Sequence, residues 1–317
     1  MAKTAMQKSK PKSKQKWPTS VRVFQSIQTY KPQSGPRLAG LFIMNTRHLE
    51  KLLGDRLRRH LPHQLSAFAL FVAKLGWAAL FGGLLLMGIL ITKAIWPLNA
   101  TLTRYDALTL YAITLQILMI VLRIESWYEM RVILLFHVTG TLMELFKTNM
   151  GSWTYPEPSL LRIDQVPLFS GFMYAAVSSF MTRAIRAFDM SFTPFPPIGW
   201  LYGLGFLIYI DFFTHHYFFD LRYALFAASV LIFWRTRIYF RIETGWYWMP
   251  LPIAAFLSSF FLWVAQNIGT LTRTWSYAGQ SNYDLVSLSK MGSWYLLLYI
   301  SFASVLLVNR DAIKKAP

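Results

Sequence analysis

The chain contains no cysteine, which excludes disulfides, thiol catalysis and cysteine-based metal sites and leaves the redox compartment open. Acids are scarce: 14 Asp and Glu stand against 32 Lys and Arg, and charged residues of both signs make up only 15% of 317 positions. The sequence has no phosphate-binding glycine loop, dinucleotide fingerprint, nucleophile elbow or zinc-protease motif, so ATP-driven work and hydrolysis of the soluble kind have no support. What is abundant is apolar. The chain is 55% hydrophobic and 17% aromatic, with a mean hydropathy of +0.36. So little charge cannot cover that much apolar surface in water, and the composition reads as an all-α polytopic membrane bundle.

The formal charge of +18 is concentrated at the start of the chain. Between Lys3 and Arg59 fourteen basic residues face only Glu50 and Asp55. Such a balance can mark a nucleic-acid binder, but here it precedes a hydrophobic body. Attraction to anionic lipid headgroups and retention on the cytoplasmic side explain it more simply, and no nucleic-acid partner is expected. Residues 1–38, rich in Lys, Gln, Pro and Ser, read as a disordered cytoplasmic arm. Over 39–66, Leu41, Ile43, Leu49, Leu52, Leu53 and Leu57 interleave with Arg47, Lys51, Arg58 and Arg59. That is the pattern of an amphipathic helix, lying either on the membrane surface or against the protein itself.

The first long apolar run begins near residue 68, too far in for an ordinary signal peptide, and is expected to stay as a membrane helix. Eight segments of near-spanning length follow at about 75–95, 105–122, 129–148, 166–186, 197–214, 217–235, 247–267 and 288–308. They make 67–309 a transmembrane bundle, with 310–317 as a basic tail. With the N-terminus inside, the inner connections hold Arg123 and Arg131, Arg183 and Arg186, then Arg235, Arg237 and Arg241, and the tail holds Arg310, Lys314 and Lys315. The outer connections hold more acids, among them Glu157, Asp164 and Asp284. Both termini are therefore expected in the cytoplasm, with the body in a bacterial inner membrane.

A shift of 122 residues lays one stretch of the chain on another without a gap. Glu144 falls on Gln266, Thr148 on Thr270, Trp153 on Trp275, Thr154 on Ser276 and Tyr155 on Tyr277. One Trp-x-Tyr means little at a membrane interface; two at matching places after the third and seventh helices suggest a duplication. The halves would be about 67–190 and 191–309. An offset of four helices keeps the topology, so they would be parallel repeats about an axis along the membrane normal.

The segments FKTNMGSWTYP (146–156), VPLFSGFMYAAVSS (166–179), DFFTHHYFFDLRY (211–223), MPLPIAAFL (249–257) and WVAQNIGTLTRTWSYAGQ (263–280), followed by KMGSW (290–294), are together specific. On these the chain resembles, from about 75 to 308, the YoaT-like family of bacterial integral membrane proteins, whose domain has no assigned function. The resemblance implies a bacterial multi-pass membrane protein and no mechanism. It also implies an acid where this chain has Gln266, and the departure leaves one carboxylate where two would face each other.

Ionisable residues inside a membrane are costly and point to function by default. Glu144 leads the candidates, with His137 seven residues earlier on the same helical face. Desolvated, its carboxyl would hold a proton and act as an acid; alternatively it pairs with Lys147 or Arg131. The second cluster is Asp211, His215, His216 and Asp220, whose i,i+4 spacing would join each His to a carboxylate if the helix continued. Such pairs orient imidazoles as bases or, less commonly, as metal ligands, while anchoring at the headgroups is the plainer explanation. Trp153, Tyr155, Trp275 and Tyr277 are either walls for a ring-bearing ligand or an aromatic belt. No cofactor and no oligomeric state follow from the residues.

Three functions remain open. The first is an intramembrane enzyme acting on an isoprenoid or other apolar lipid, with Glu144, His215, His216 and Asp220 as catalytic groups and His137, Gln266 and the aromatics lining the site. Its acid-then-Trp-x-Tyr layout is broadly similar to membrane carotenoid cyclases and hydratases, a likeness of layout only. The second is a transporter with an ion or small solute between the halves, and the third is a scaffold whose basic arm recruits partners or anionic lipid.

Overall fold

A run of Leu, Phe, Ala and Met in apolar surroundings can satisfy its backbone N–H and C=O groups only within itself, and such runs fold as helices. The computed structural model describes residues 50–97, 99–281, 284–308 and 313. The arm at 1–38, the first part of the amphipathic stretch and all of the basic tail but residue 313 lie outside the described residues. Residues 50–58 are helical. The numbered helices are α1 (His63–Ala78), α2 (Leu80–Ile95), α3 (Arg104–Val121), α4 (Trp127–Asn149), α5 (Phe169–Ala187), α6 (Ile198–Thr214), α7 (Arg222–Phe233), α8 (Leu251–Leu271) and α9 (Leu288–Val308). Short strands join them: β1 (Trp153–Thr154), β2 (Arg162–Ile163), β3 (Val166–Pro167), β4 (Ser191–Thr193), β5 (Arg237–Ile242), β6 (Gly245–Pro250) and β7 (Ser276–Tyr277).

Caps set several boundaries. Ser126 accepts from Glu129 N at 3.2 Å while the Glu129 carboxylate accepts from Ser126 N at 2.7 Å, a reciprocal cap that starts α4. Thr103 starts α3 through Asp106 N. At the other end α4 and α8 close alike. Gly151 (φ 66°) and Arg273 (φ 53°) turn left-handed, and Ser152 N and Thr274 N reach back to the carbonyls of Lys147 and Gly269, each at 2.9 Å.

α4 lies along α5, and α8 along α9; α5 and α9 also pack on each other, with the Ser178 and Ser301 hydroxyls 3.3 Å apart. α2 touches α3 and α5, and α6 touches α7 and α9. One end of the bundle is tied by ion pairs. Arg183 meets Glu125 at 2.6 Å, Arg186 meets Glu129 at 2.7 Å and Arg241 meets Asp189 at 2.6 Å. Helical residues 50–58 dock at the same end, where Glu50 binds Lys74 at 2.9 Å and Arg58 binds Glu243.

Three segments differ from the sequence expectation. The run at 75–95 is two helices, bent by 71° at Ala79; Gly76, Gly82 and Gly83 flank the break, where the helix is weakest. The segment expected at 217–235 is helical only over Arg222–Phe233. The segment expected at 247–267 starts at Leu251, because 237–250 form the hairpin β5–β6, with β4 added alongside. The alternation Arg237, Ile238, Tyr239, Phe240, Arg241, Ile242 buries every second residue, a period of two that a hydropathy window averages away.

Three helices, α3, α8 and α9, are long and apolar enough to cross a membrane, and the bent pair α1–α2 makes a fourth if it is one span. α4 and α5 have the length, but Glu144 and Lys147 on α4 and Arg183 on α5 lower their hydropathy and are buried in the protein. The exterior is correspondingly apolar. α3 exposes Leu110, Ile113, Ile117, Leu118 and Val121 while burying Asp106 and Thr109. α8 exposes Phe256, Leu257, Phe260 and Phe261 while burying Gln266 and Asn267. This inverted distribution is compatible with a membrane protein.

Candidate functional site

The loops that follow α4 and α8 meet in a short antiparallel ladder, Trp153 opposite Tyr277 and Thr154 opposite Ser276. Each Tyr then reaches back eleven residues to the last turns of its own helix. Tyr155 donates its hydroxyl to Glu144 Oε2 at 2.8 Å, and Tyr277 donates to Gln266 Oε1 at 2.7 Å. Burial pushes both phenols above their ordinary range, so they stay protonated and donate. Trp153 Nε1 adds a second bond to Glu144 Oε2 at 2.8 Å. Glu144 is buried, and its partners here are neutral donors.

Trp275 is placed differently. Its indole packs with Ile89, Tyr105, Leu108 and Phe169, against Gly269 in the last turn of α8. A Cβ at Gly269 would overlap the indole ring. Gly269→Val should therefore lower the thermal midpoint by an amount equivalent to about 1–3 kcal/mol and shift the Trp emission; an unchanged midpoint would show that the ring is free to move.

Glu144, Trp153, Tyr155, Gln266, Trp275 and Tyr277 all border one cavity of about 370 Å³, together with Asp211, His215 and His216. Its apolar wall includes Met173, Ile208, Phe212, Trp294 and Leu297. Two expected residues do not join. His137 lies on α4 as its spacing requires, but α5 closes over that part of the face, and the imidazole packs on Gly171 and on Phe172, with ring centroids 4.7 Å apart. Asp220 is taken by Arg222, at 2.5–2.9 Å, which holds its carboxyl down at about 2.

The two His–carboxylate pairs do not form either, because α6 stops at Thr214. His215 Nδ1 lies 2.7 Å from the backbone carbonyl of Asp211, and the Asp211 carboxylate caps Leu221 N at 3.0 Å. Donation from Nδ1 to that carbonyl fixes the His215 tautomer and leaves Nε2 as an acceptor. Lys147 Nζ supplies the proton, 3.0 Å from His215 Nε2 and 2.6 Å from His216 Nε2. The imidazoles are stacked with centroids 4.4 Å apart. Burial first, and the nearby charge of Lys147 as well, hold both below the ordinary His range, so they meet the ammonium as neutral rings. The Nε2 atoms that the less common metal reading would use thus face a lysine, and among the described residues no group of three or more His, Asp or Glu could hold a metal ion.

Sequence reasoning took Lys147 only as a partner for Glu144 and overlooked Lys290, Arg222 and Trp294. Lys290 sits over the β1–β7 ladder, 4.5 Å from the Tyr277 ring and 5.7 Å from Trp153. A lysine at the start of an apolar helix was the available signal, but interfacial snorkelling accounts for such residues equally well.

Fold and site together define a class: a helical protein whose apolar helices are compatible with a membrane, with a cavity walled by aromatics and lined by the buried acids Glu144 and Asp211 and a set of cations. The chain belongs to the family described as "Protein of unknown function (DUF817)", which it matches over residues 67–302. It is 38% identical over 239 residues to the protein named "Uncharacterized protein YoaT" of Bacillus subtilis (strain 168), covering 74% of this chain and 90% of that protein. No solved structure matches.

Proposed function

We propose that this is a protein of the bacterial inner membrane with eight membrane segments, the bent pair α1–α2 counting as one, built as two parallel halves with both termini cytoplasmic, and that the cavity between the halves is an enzyme site for an isoprenoid or other apolar lipid. The observation that carries the enzyme reading is Glu144, a buried acid at an aromatic cavity wall whose Oε2 accepts from both Trp153 and Tyr155. Tyr174, also in the cavity wall, hydrogen-bonds the same carboxyl, and in this reading Oε1 carries the transferable proton on the cavity side. The duplication is supported by the ladder centred on Thr154 and Ser276 and by the matched Tyr155–Glu144 and Tyr277–Gln266 bonds. The shared helix ends add little, since α3 and α5 close in the same way at Arg123 and Asp189.

In this reading the protonated carboxyl gives its proton to one carbon of a double bond and leaves a cation on the other. The faces of the aromatic wall stabilise that cation. Return of a different proton from the ligand to the carboxylate closes the cycle as an isomerisation or cyclisation, with no other reactant. The test is a lipid profile of a deletion strain with and without the wild-type gene, expected to show one lipid replaced by an isomer of equal mass. Identical profiles would sink the reading.

The lining of the cavity by both halves also favours transport of a small solute between them. Proteoliposome flux that drops with Glu144→Gln, without any isomer appearing in cells, would select that alternative.

A further inference from the structure

A buried ammonium normally has a counter-ion. Lys147 is 4% exposed, and among the described residues neither it nor Lys290 forms an ion pair. Two of the three N–H groups of Lys147 go to the neutral His215 and His216 rings, which carry no charge to compensate it. Lys290 stands over the Tyr277 ring, and Arg222 is clamped by Asp220 outside the cavity lining while its own side chain lines it. Lys147, Lys290 and Arg222 all line the same cavity, beside His215 and His216. The acids bordering the same cavity are otherwise engaged: Glu144 by Trp153 and Tyr155, Asp211 by Leu221 N.

We propose that Lys147, Lys290 and Arg222 form an anion subsite at the cavity, and that the ligand is an amphiphile whose phosphate group sits there while its apolar tail lies along Phe212 and Trp294 toward Glu144. Lys147 gives its third N–H to the phosphate, and the stacked imidazoles orient the ammonium through its other two. This rests on the reading of the cavity as a lipid site and narrows its ligand from a neutral lipid to a phosphate-bearing one.

The full chain in zwitterionic nanodiscs should be titrated with farnesyl phosphate, farnesol and inorganic phosphate, reading quenching of Trp fluorescence. Farnesyl phosphate is expected to bind at least tenfold more tightly than either of the others. Lys147→Met and Lys290→Gln should each weaken it about ten- to hundredfold, the loss of one charge-assisted bond, and leave farnesol binding unchanged. Lys290 is the less buried of the two, so its variant carries the test if Lys147→Met lowers the thermal midpoint. Farnesol binding as tightly as its phosphate, or phosphate binding indifferent to both lysines, overturns the subsite while leaving the lipid site standing. Inorganic phosphate binding as tightly as farnesyl phosphate overturns the amphiphile and leaves a free-anion site. If neither prenyl compound binds, the lipid reading falls with the subsite.

Discussion

Glu144→Gln should abolish turnover while leaving the fold in place. Removing a positioned general acid costs typically about 10²–10⁴-fold in rate. The protein already contains the control for the substitution, since Gln266 accepts the matching bond from Tyr277 through its amide oxygen at 2.7 Å. An amide at 144 can accept from Tyr155 and Trp153 in the same way and turn its NH2 toward the Tyr174 hydroxyl, so the transferable proton is the main loss. A thermal midpoint within a few degrees of wild type, with conversion of the cellular lipid lost, is the expected pair of results. Full conversion by the variant would remove Glu144 from the chemistry. Glu144→Ala is the contrasting change. It leaves the Trp153 and Tyr155 donors unpaired, each at a cost of about 1–3 kcal/mol, so it should lose stability as well as activity.

The largest stability effect is expected far from the cavity. Glu125, between α3 and α4, is buried with Arg183 of α5 at 2.6 Å and also accepts from Ser179 Oγ and Gln116 Nε2, each at 2.5 Å. Arg183 in turn donates to the carbonyl of Trp77 at 3.1 Å, so this one cluster joins α1, α3 and α5. Glu125→Ala strands a buried guanidinium and should cost about 3–5 kcal/mol, read as a fall in the thermal midpoint. The double variant Glu125→Leu with Arg183→Met, which removes both charges, should recover most of the loss. A single variant as stable as wild type would show that water or a backbone carbonyl replaces the carboxylate.

Much of the site was legible in advance. The 122-residue offset singled out Glu144, Gln266 and both Trp-[Ser/Thr]-Tyr triplets, and all of them border the cavity. That worked because the signal is local: a helix end, eight residues and an aromatic triplet keep their spacing wherever the segment is placed. His137 failed for the complementary reason. Helical spacing shows which residues share a face but not which neighbour covers that face, and α5 covers His137 with Phe172. The paired His and Asp failed because i,i+4 geometry needs a continuing helix, whereas α6 ends at Thr214 and Arg222 takes Asp220.

The sequence by itself determined the helical, apolar character of the chain, its family, the acid at 144 and the amide at 266. These follow from composition and short-range spacing, which do not depend on how the segments pack. Only the tertiary structure decided that the two aromatic loops pair, that Lys147 lies against His215 and His216, and that Lys290 joins it across the cavity. Those partners are 68, 69 and more residues apart in the chain. No periodicity spans such distances, and the choice among the basic residues that could have faced the cavity was made by the packing of α4, α6 and α9.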